Sequence, residues 1–116
     1  MPELPEVETI KTAVQKALGH AEIKDVTVNE RRLRVPVAED FAAQLKGRKI
    51  VGYRRIAKYI VIDLDNRHSL IIHLGMSGRI RLSDTLPPTE KHDHIVFATT
   101  NGYMVYNDAR RFGLCV

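Results

Sequence analysis

Apolar residues recur at helical spacing near the start of the chain. The positions that share this spacing are Val7, Ile10, Val14, Ala17 and Leu18. Separations of three and four residues place them on one face of an amphipathic helix. Pro5 suits the first turn, where its missing N–H costs nothing, and Gly19 follows as a stop signal. We therefore predict a helix over residues 5–18.

Beyond this helix the pattern changes to short runs typical of β-strands. The predicted strands are 23–28 (continuing through Leu33 and Val35 to Pro36), 49–56, 59–64, 69–74, 80–82, 94–99 and 103–106, with a short helix at 39–45. The turn signals are Asp65-Asn66-Arg67, Gly75/Gly78, Pro87-Pro88 and Asn101-Gly102, the last a strong hairpin signal. Short strands without long intervening helices indicate an antiparallel arrangement. The predicted fold class is mainly β, an antiparallel β-sandwich flanked by an N-terminal helix and a second short helix.

Length and composition favour one soluble domain spanning residues 1–116. The hydrophobic content of 44% excludes general disorder. No apolar run approaches the roughly 20 residues that cross a bilayer, and the acidic start is not a signal peptide. Cys115 is the only cysteine, so the chain has no internal disulfide and no cysteine zinc site. A cytoplasmic monomer without membrane contact is expected.

Charge is unevenly distributed along the chain. Residues 1–30 have a net charge of −3, residues 31–58 a net charge of +7, and the remainder is neutral. A basic block of this kind is typical of a surface that binds a polyanion. A set of solvated strand faces is the alternative interpretation.

The first residues offer a nucleophile. If Met1 is removed, the chain begins with Pro2, a secondary amine beside the Glu3 carboxylate. An α-amine has a pKa of about 7.7–8, so far more of it is neutral at physiological pH than of a lysine. A neutral amine can attack a sugar carbon and form an iminium, and the carboxylate can move protons. With Met1 retained, the Pro2 nitrogen is an amide and cannot attack. The structural alternative is an ordinary capped helix, with Glu6 and Glu8 near the positive end of its dipole.

Two internal segments contain further candidate residues. Met76 lies between glycines that permit a tight hairpin tip, where it can act as an apolar wedge in a base stack or fold back into the core. His92 and His94 share a strand face from which Asp93 points away, so we reject a metal site there. We expect His94 to be structural.

Five ordered segments resemble the bacterial formamidopyrimidine-DNA glycosylases, which excise oxidised purines from DNA. The segments are residues 1–9 (MPELPEVET), 54–59 (RRIAKY), 71–79 (IIHLGMSGR), 91–94 (KHDH) and 108–113 (DARRFG). The nine-residue start and HLGMSG are the most specific. The resemblance covers essentially the whole chain but only the first part of the family's proteins.

The resemblance implies a base-excision-repair glycosylase and apurinic-site lyase acting on 8-oxoguanine and formamidopyrimidines in damaged double-stranded DNA. Its catalytic site would contain Pro2 as nucleophile, Glu3 as proton donor and Lys58, which contacts a phosphate beside the lesion as a point charge. Glu6 would support this site from the helix. β- and δ-elimination would then nick the strand on both sides of the sugar.

The resemblance also implies DNA contacts outside the catalytic centre. His73, His92 and Arg110 would bind DNA, the two histidines at phosphates. Met76, Arg110 and Phe112 would fill the space left by the extruded base, which offsets part of the cost of extrusion. This chain has Ala109 where the family usually has proline. The absence of that proline loosens the expected geometry of the loop.

Family members continue into a helical domain with a helix–two-turn–helix and a zinc finger. The expected cofactors are therefore none in this chain and a structural zinc in that further domain, and the expected location is the bacterial cytoplasm, at the nucleoid. Because the strand pattern at 113–116 runs to the last residue, the chain is interpreted as a fragment. Since part of the DNA cleft that the resemblance implies is then absent, we expect little or no glycosylase activity from the fragment alone. Two alternatives stay open: an endonuclease VIII-type glycosylase for oxidised pyrimidines, and a non-catalytic nucleic-acid-binding β module.

Overall fold

The computed structural model describes residues 4–30, 37–75, 78–108 and 114–115. Its helices are α1 (Leu4–Leu18) and α2 (Phe41–Leu45), and its strands are β1 (Ile23–Val28), β2 (Ile50–Ile56), β3 (Tyr59–Leu64), β4 (Ser69–His73), β5 (Gly78–Ser83), β6 (Asp93–Thr99), β7 (Gly102–Asp108) and β8 (Leu114–Cys115). Within these residues no helix is long and apolar enough to cross a membrane.

The strands form two four-stranded sheets with one shared core. The first sheet has the order β1-β6-β7-β5 and the second β2-β3-β4-β8, with antiparallel pairing throughout. Phe97 and Tyr106 of the first sheet belong to the same buried cluster as Ile60, Ile62 and Ile72 of the second. Alternating apolar residues on facing sheets account for this core. The predicted antiparallel sandwich with two flanking helices is confirmed.

Helix α1 packs one face against this core. Val7, Val14 and Leu18 are buried, and Ile10 is half-buried. Ala17 is exposed, so its predicted place on the buried face is wrong. At about 100° per residue, Ala17 lies about 80° from Val7 around the helix axis, which puts it at the edge of the apolar face.

Both sheets hold the C-terminal end of α1. Gly19 adopts a φ of +53°, and its amide donates to the Gln15 carbonyl at 2.9 Å. The Tyr53 hydroxyl of β2 donates to the Gly19 carbonyl at 2.8 Å. Asn101, in the β6–β7 turn, donates to the Leu18 carbonyl at 2.8 Å. Carbonyls that the helix itself leaves unpaired are thereby satisfied.

Most strand bounds agree with the sequence predictions, with small differences at the ends. The second helix begins at Phe41 rather than residue 39, and β5 and β7 are longer than predicted. The β6–β7 hairpin turns at Thr100 and Asn101, because Thr99 pairs with Gly102. Gly102 has a φ of +131° and begins β7. The predicted continuation through residues 33 and 35 lies outside the described residues.

The connection between β4 and β5 is not a hairpin. The two strands belong to different sheets, so the turn after Leu74 carries the chain from the second sheet to the first. The Gly78 amide donates to the Leu74 carbonyl at 2.8 Å and closes this turn. The predicted hairpin tip is therefore wrong, because the glycines marked a close approach of the chain but could not show which strands it joins.

Candidate functional site

Strand pairing in the second sheet brings three of the sequence segments together. Tyr59, which follows Lys58, pairs with His73 at the end of β4. Leu114, which follows residues 109–113, pairs with the same His73 on its other side. The RRIAKY, HLGMSG and DARRFG segments therefore meet around His73.

Strand pairing in the first sheet completes this arrangement. Gly78, which follows residues 76–77, pairs with Asp108, which precedes residues 109–113. The Asp108 amide donates to the His92 carbonyl at 3.1 Å. Residues 76–77 and 109–113 thus both connect the two sheets at one end of the sandwich. We call this end, defined by Lys58, His73, Gly78, His92 and Asp108, the motif edge.

Lys58 occupies the second position of a two-residue hairpin loop. Ile56 pairs with Tyr59, and Ala57 between them adopts a φ of +52°. The Lys58 side chain is half-buried, and no hydrogen bond or ion pair joins it to another described residue. A cation in this setting is available to an anion that approaches the motif edge.

The His73 ring is buried and held in one orientation. Its Nδ1 accepts a hydrogen bond from the Gly75 amide at 3.1 Å, which leaves the proton of the neutral ring on Nε2. The Tyr59 ring lies against it with a centroid distance of 4.8 Å. This arrangement gives the histidine a defined donor nitrogen.

His92 and His94 occupy different environments. His92 is half-buried and has a φ of +71°, and it precedes β6, which begins at Asp93. The prediction that both histidines lie on one strand is therefore wrong, although their ring centroids are 6.3 Å apart. His94 is buried, and its Nε2 lies 2.6 Å from the Asp108 carbonyl oxygen, as expected of a structural residue.

Asp93 is buried in a polar network that the sequence did not reveal. Its carboxylate accepts hydrogen bonds from Arg81 Nη2 at 2.6 Å, from the Glu90 amide at 2.7 Å and from Asn107 Nδ2 at 2.8 Å. The Asn107 amide group also donates to the Lys91 carbonyl at 2.9 Å. The loop that contains His92 is thereby fixed to β5 and β7 on both sides.

The N-terminal end of α1 presents an open hollow. A cavity of about 330 Å³ is lined by Pro5, Glu6, Thr9 and Ile10. Glu6 is exposed in the first helical turn, so its carboxylate is available to this hollow. Pro2 and Glu3 precede the helix and lie outside the described residues, as do Met76, Arg110 and Phe112.

A contact between α1 and the Lys58 loop was not predicted from the sequence. Arg55 Nε donates to Glu8 Oε1 at 3.1 Å, and Arg55 Nη1 donates to the Ala57 carbonyl at 2.8 Å. Hydrogen bonds from Lys11 and Arg55 hold the pKa of the Glu8 carboxyl below its ordinary value. Strand alternation puts Arg54 and Arg55 on opposite faces, but it does not show which of them faces α1.

No group of three or more His, Cys, Asp or Glu side chains in the described part of the chain could hold a metal ion. The described residues instead place a half-buried lysine, a buried histidine and a half-buried histidine at the motif edge, and an exposed carboxylate, Glu6, at the hollow beside the start of α1. These groups can donate hydrogen bonds to an anion and transfer protons.

Comparison with known proteins identifies a family. Residues 1–115 match the model of the formamidopyrimidine-DNA glycosylase N-terminal domain. A formamidopyrimidine-DNA glycosylase of Rickettsia bellii is 46% identical over 115 residues, which cover 98% of this chain and 42% of that protein. The chain therefore spans less than half the length of the curated relatives it matches.

Solved structures with the same fold are also similar in sequence. Formamidopyrimidine-DNA glycosylase of Lactococcus lactis, bound non-covalently to DNA containing an abasic site, matches with a TM-score of 0.89 and 33% identity, over 98% of this chain and 44% of that one. The Lactococcus lactis protein in complex with DNA containing Fapy-dG matches with a TM-score of 0.88 and 33% identity, over 97% and 43%.

Proposed function

Because the chain belongs to the formamidopyrimidine-DNA glycosylase family, whose N-terminal domain it matches over residues 1–115, we propose that it is the catalytic N-terminal domain of a base-excision-repair glycosylase and apurinic-site lyase. Its partner is damaged double-stranded DNA, and its substrates are oxidised purines. The observation that carries this proposal is the likeness, at 33% identity, to structures solved on abasic and Fapy-dG DNA. The structural zinc implied by the family belongs to a second domain outside this chain.

In this proposal Pro2 is the nucleophile once Met1 is removed. Its nitrogen attacks C1′ of the damaged nucleotide, and the bond from C1′ to the base breaks. The base leaves with the electron pair and takes up a proton, while the Pro2 nitrogen loses its own proton. Glu3 gives a proton to the sugar ring oxygen as the bond from C1′ to that oxygen breaks, leaving an iminium at C1′. β- and δ-elimination from this iminium nick the strand on both sides of the sugar. Glu6 supports the site from the first turn of α1.

Lys58, His73 and His92 bind phosphates in this proposal. Their support is the motif edge, where three separate elements bring a half-buried lysine, an oriented histidine and a half-buried histidine together. Contacts with phosphates hold a bent strand in register without reading its sequence. Lys58 lies beside the lesion, within the catalytic site.

Arg110, Met76 and Phe112 fill the space left by the extruded base, and Arg110 faces the base left without a partner. Support comes from the described residues that flank them, since Gly78 pairs with Asp108 and His73 pairs with Leu114 at the motif edge. Extruding a base costs a few kcal/mol, and side chains that occupy the vacated space offset part of it.

Borohydride trapping tests the proposal. The tests use a full-length glycosylase that contains this domain, since the matched relatives are more than twice as long as the chain. We expect a covalent adduct on 8-oxoguanine duplex that Pro2→Gly abolishes, whereas the control Pro5→Ala, in the first turn of α1, retains it. Binding without any adduct would favour the non-catalytic module. A preference for oxidised pyrimidines would favour the endonuclease VIII-type alternative.

The 116-residue chain alone should have little or no glycosylase activity. Without the second domain, part of the DNA cleft and its phosphate contacts are absent, and affinity falls with them. Chains that retain Met1 should give no trapped adduct on an abasic duplex, because the Pro2 nitrogen is then an amide. Mass spectrometry would first establish the Met1 content, and trapping by fully Met1-bearing chains would contradict the Pro2 mechanism.

A further inference from the structure

One guanidinium group joins the N-terminal helix to the loop that contains Lys58. Arg55 donates from Nε to the Glu8 carboxylate at 3.1 Å and from Nη1 to the Ala57 carbonyl at 2.8 Å. Glu8 lies in α1, 47 residues earlier in the chain. The Ala57 carbonyl belongs to the peptide unit that directly precedes Lys58.

We propose that Arg55 is a positioning residue that fixes the Lys58 loop relative to the N-terminal helix. The inference rests on the proposed function, in which Lys58 binds a phosphate beside the sugar that Pro2 attacks. Pro2 lies two residues before the start of α1, so Arg55 connects the element that follows the nucleophile with the loop that holds the phosphate. Displacing either by about 1 Å would impair catalysis.

The loop needs such a contact because its backbone is strained. Ala57 has a φ of +52°, a left-handed conformation in which the Cβ of a non-glycine residue is crowded against the backbone. A hydrogen bond from Arg55 to the Ala57 carbonyl favours this conformation over alternatives in which Lys58 points elsewhere. The fork of an arginine can meet two acceptors at fixed angles, whereas the single ammonium of a lysine cannot reproduce that geometry.

The neighbouring arginine provides a contrast on the same strand. Arg54 donates from Nε and Nη2 to the two oxygens of Asp63, both at 2.8 Å, within the second sheet. Its side chain is 54% exposed, against 30% for Arg55. Both ion pairs are partly exposed, and solvent screening makes such pairs contribute little to stability. Loss of Arg55 should therefore affect DNA binding more than folding.

The experiment measures how affinity for duplex DNA with an uncleavable abasic analogue depends on salt, using the full-length glycosylase. Removing one phosphate contact flattens the slope of log affinity against log salt by about one. We expect Lys58→Gln and Arg55→Gln each to flatten it by about that amount. Because Arg55 acts through Lys58, the double variant should flatten it no further than either single variant. A purely structural role would not produce this non-additivity.

Two further variants separate positioning from charge. Arg55→Lys retains the charge but not the fork, so it should flatten the slope as Arg55→Gln does. Arg54→Gln removes one cation from the adjacent position and should leave the slope unchanged. Thermal unfolding of each variant shows whether it is folded. If Arg55→Gln fails to fold, Arg55→Lys replaces it in the comparison of slopes.

The outcomes distinguish the inference from the function it rests on. If Lys58→Gln leaves the slope unchanged, the phosphate contact is wrong and the positioning role falls with it. If Lys58→Gln flattens the slope but Arg55→Gln and Arg55→Lys do not, the positioning role alone is wrong. The inference would also be overturned if the double variant flattened the slope by the sum of the two single effects, or if Arg54→Gln flattened it as much as Arg55→Gln.

Discussion

Gly78 lies so close to Leu74 that no side chain fits between them. Its amide donates to the Leu74 carbonyl at 2.8 Å, and a Cβ atom added to Gly78 would lie 2.2 Å from that carbonyl oxygen. This contact lies where the chain passes from the second sheet to the first. Gly78 also pairs with Asp108, so the close approach to Leu74 fixes the first residue of β5 beside the last residue of β7.

Gly78→Ala should therefore destabilise the chain strongly. The added methyl group meets backbone atoms that cannot move without opening the turn, and overpacking of this kind costs on the order of 3 kcal/mol. Urea unfolding of the 116-residue chain measures the loss. The matched control is Gly52→Ala in β2, where the nearest atom to an added Cβ is Asp63 Oδ2 at 3.8 Å. An equal loss in both variants would contradict the steric explanation.

Ala57→Gly should stabilise the chain. Glycine adopts a positive φ without the Cβ crowding that Ala57 has at +52°. Glycine also raises the conformational entropy of the unfolded state, which offsets part of this gain. The net gain in the free energy of unfolding should be about 0.5–1 kcal/mol. The control is Ala43→Gly, at an exposed position of α2. It should lower the free energy of unfolding by about the same amount, because glycine is unfavourable in a helix. Destabilisation by Ala57→Gly would show that the loop is not strained there.

The fold was largely predictable because local patterns marked its elements. Residues 59–64 were predicted as a strand and form β3 with the same bounds, since the turn residues Asp65-Asn66-Arg67 end this apolar run. Convergence of Lys58, His73 and His92 could not be obtained from such patterns. It depends on which strands pair across the chain, and that choice is made by the packing of the whole domain. The family resemblance, rather than spacing, identified these residues as candidates.

Arg55 and Asp93 show what the sequence could not reveal. Arg54 and Arg55 are adjacent arginines, and alternation alone does not show which of them faces α1. Asp93 was expected to point away from its neighbouring histidines, and its partners Arg81 and Asn107 lie 12 and 14 residues away in the chain. Long-range polar contacts of this kind leave no periodic signal.

Asp93→Asn should destabilise the chain and disturb the His92 loop. The buried carboxylate accepts from Arg81 and Asn107 and from the Glu90 amide, so its replacement leaves the Arg81 charge partly uncompensated and turns one acceptor into a donor. Breaking a buried pair costs about 3–5 kcal/mol. Because the Arg81 side chain is 28% exposed and also pairs with Glu90, we expect about 2–3 kcal/mol in urea unfolding.

Asp84→Asn is the control for this loss of charge. Asp84 directly follows β5 and is exposed, so its substitution should change the free energy of unfolding by less than about 0.5 kcal/mol. Amide exchange around residues 90–92 should also accelerate in Asp93→Asn but not in Asp84→Asn. Unchanged exchange would mean that Asp93 does not hold the His92 loop.

Ionisation of Tyr53 should lower the free energy of unfolding at high pH. Burial raises its pKa from an ordinary 10.0 to about 12, and its hydroxyl donates to the Gly19 carbonyl at the end of α1. Between about pH 10 and 12 the unfolded chain loses the tyrosine proton while the folded chain keeps it, so the unfolded state is favoured as pH rises. Tyr53→Phe should remove this part of the pH dependence and cost about 1 kcal/mol at neutral pH through the lost hydrogen bond. Urea unfolding from pH 7 to 11.5 measures both effects, with Tyr103→Phe on β7 as the matched substitution. If the free energy of unfolding still falls at high pH in Tyr53→Phe but no longer falls in Tyr103→Phe, the pH dependence arises from Tyr103. That result would contradict the role of Tyr53 at the helix end.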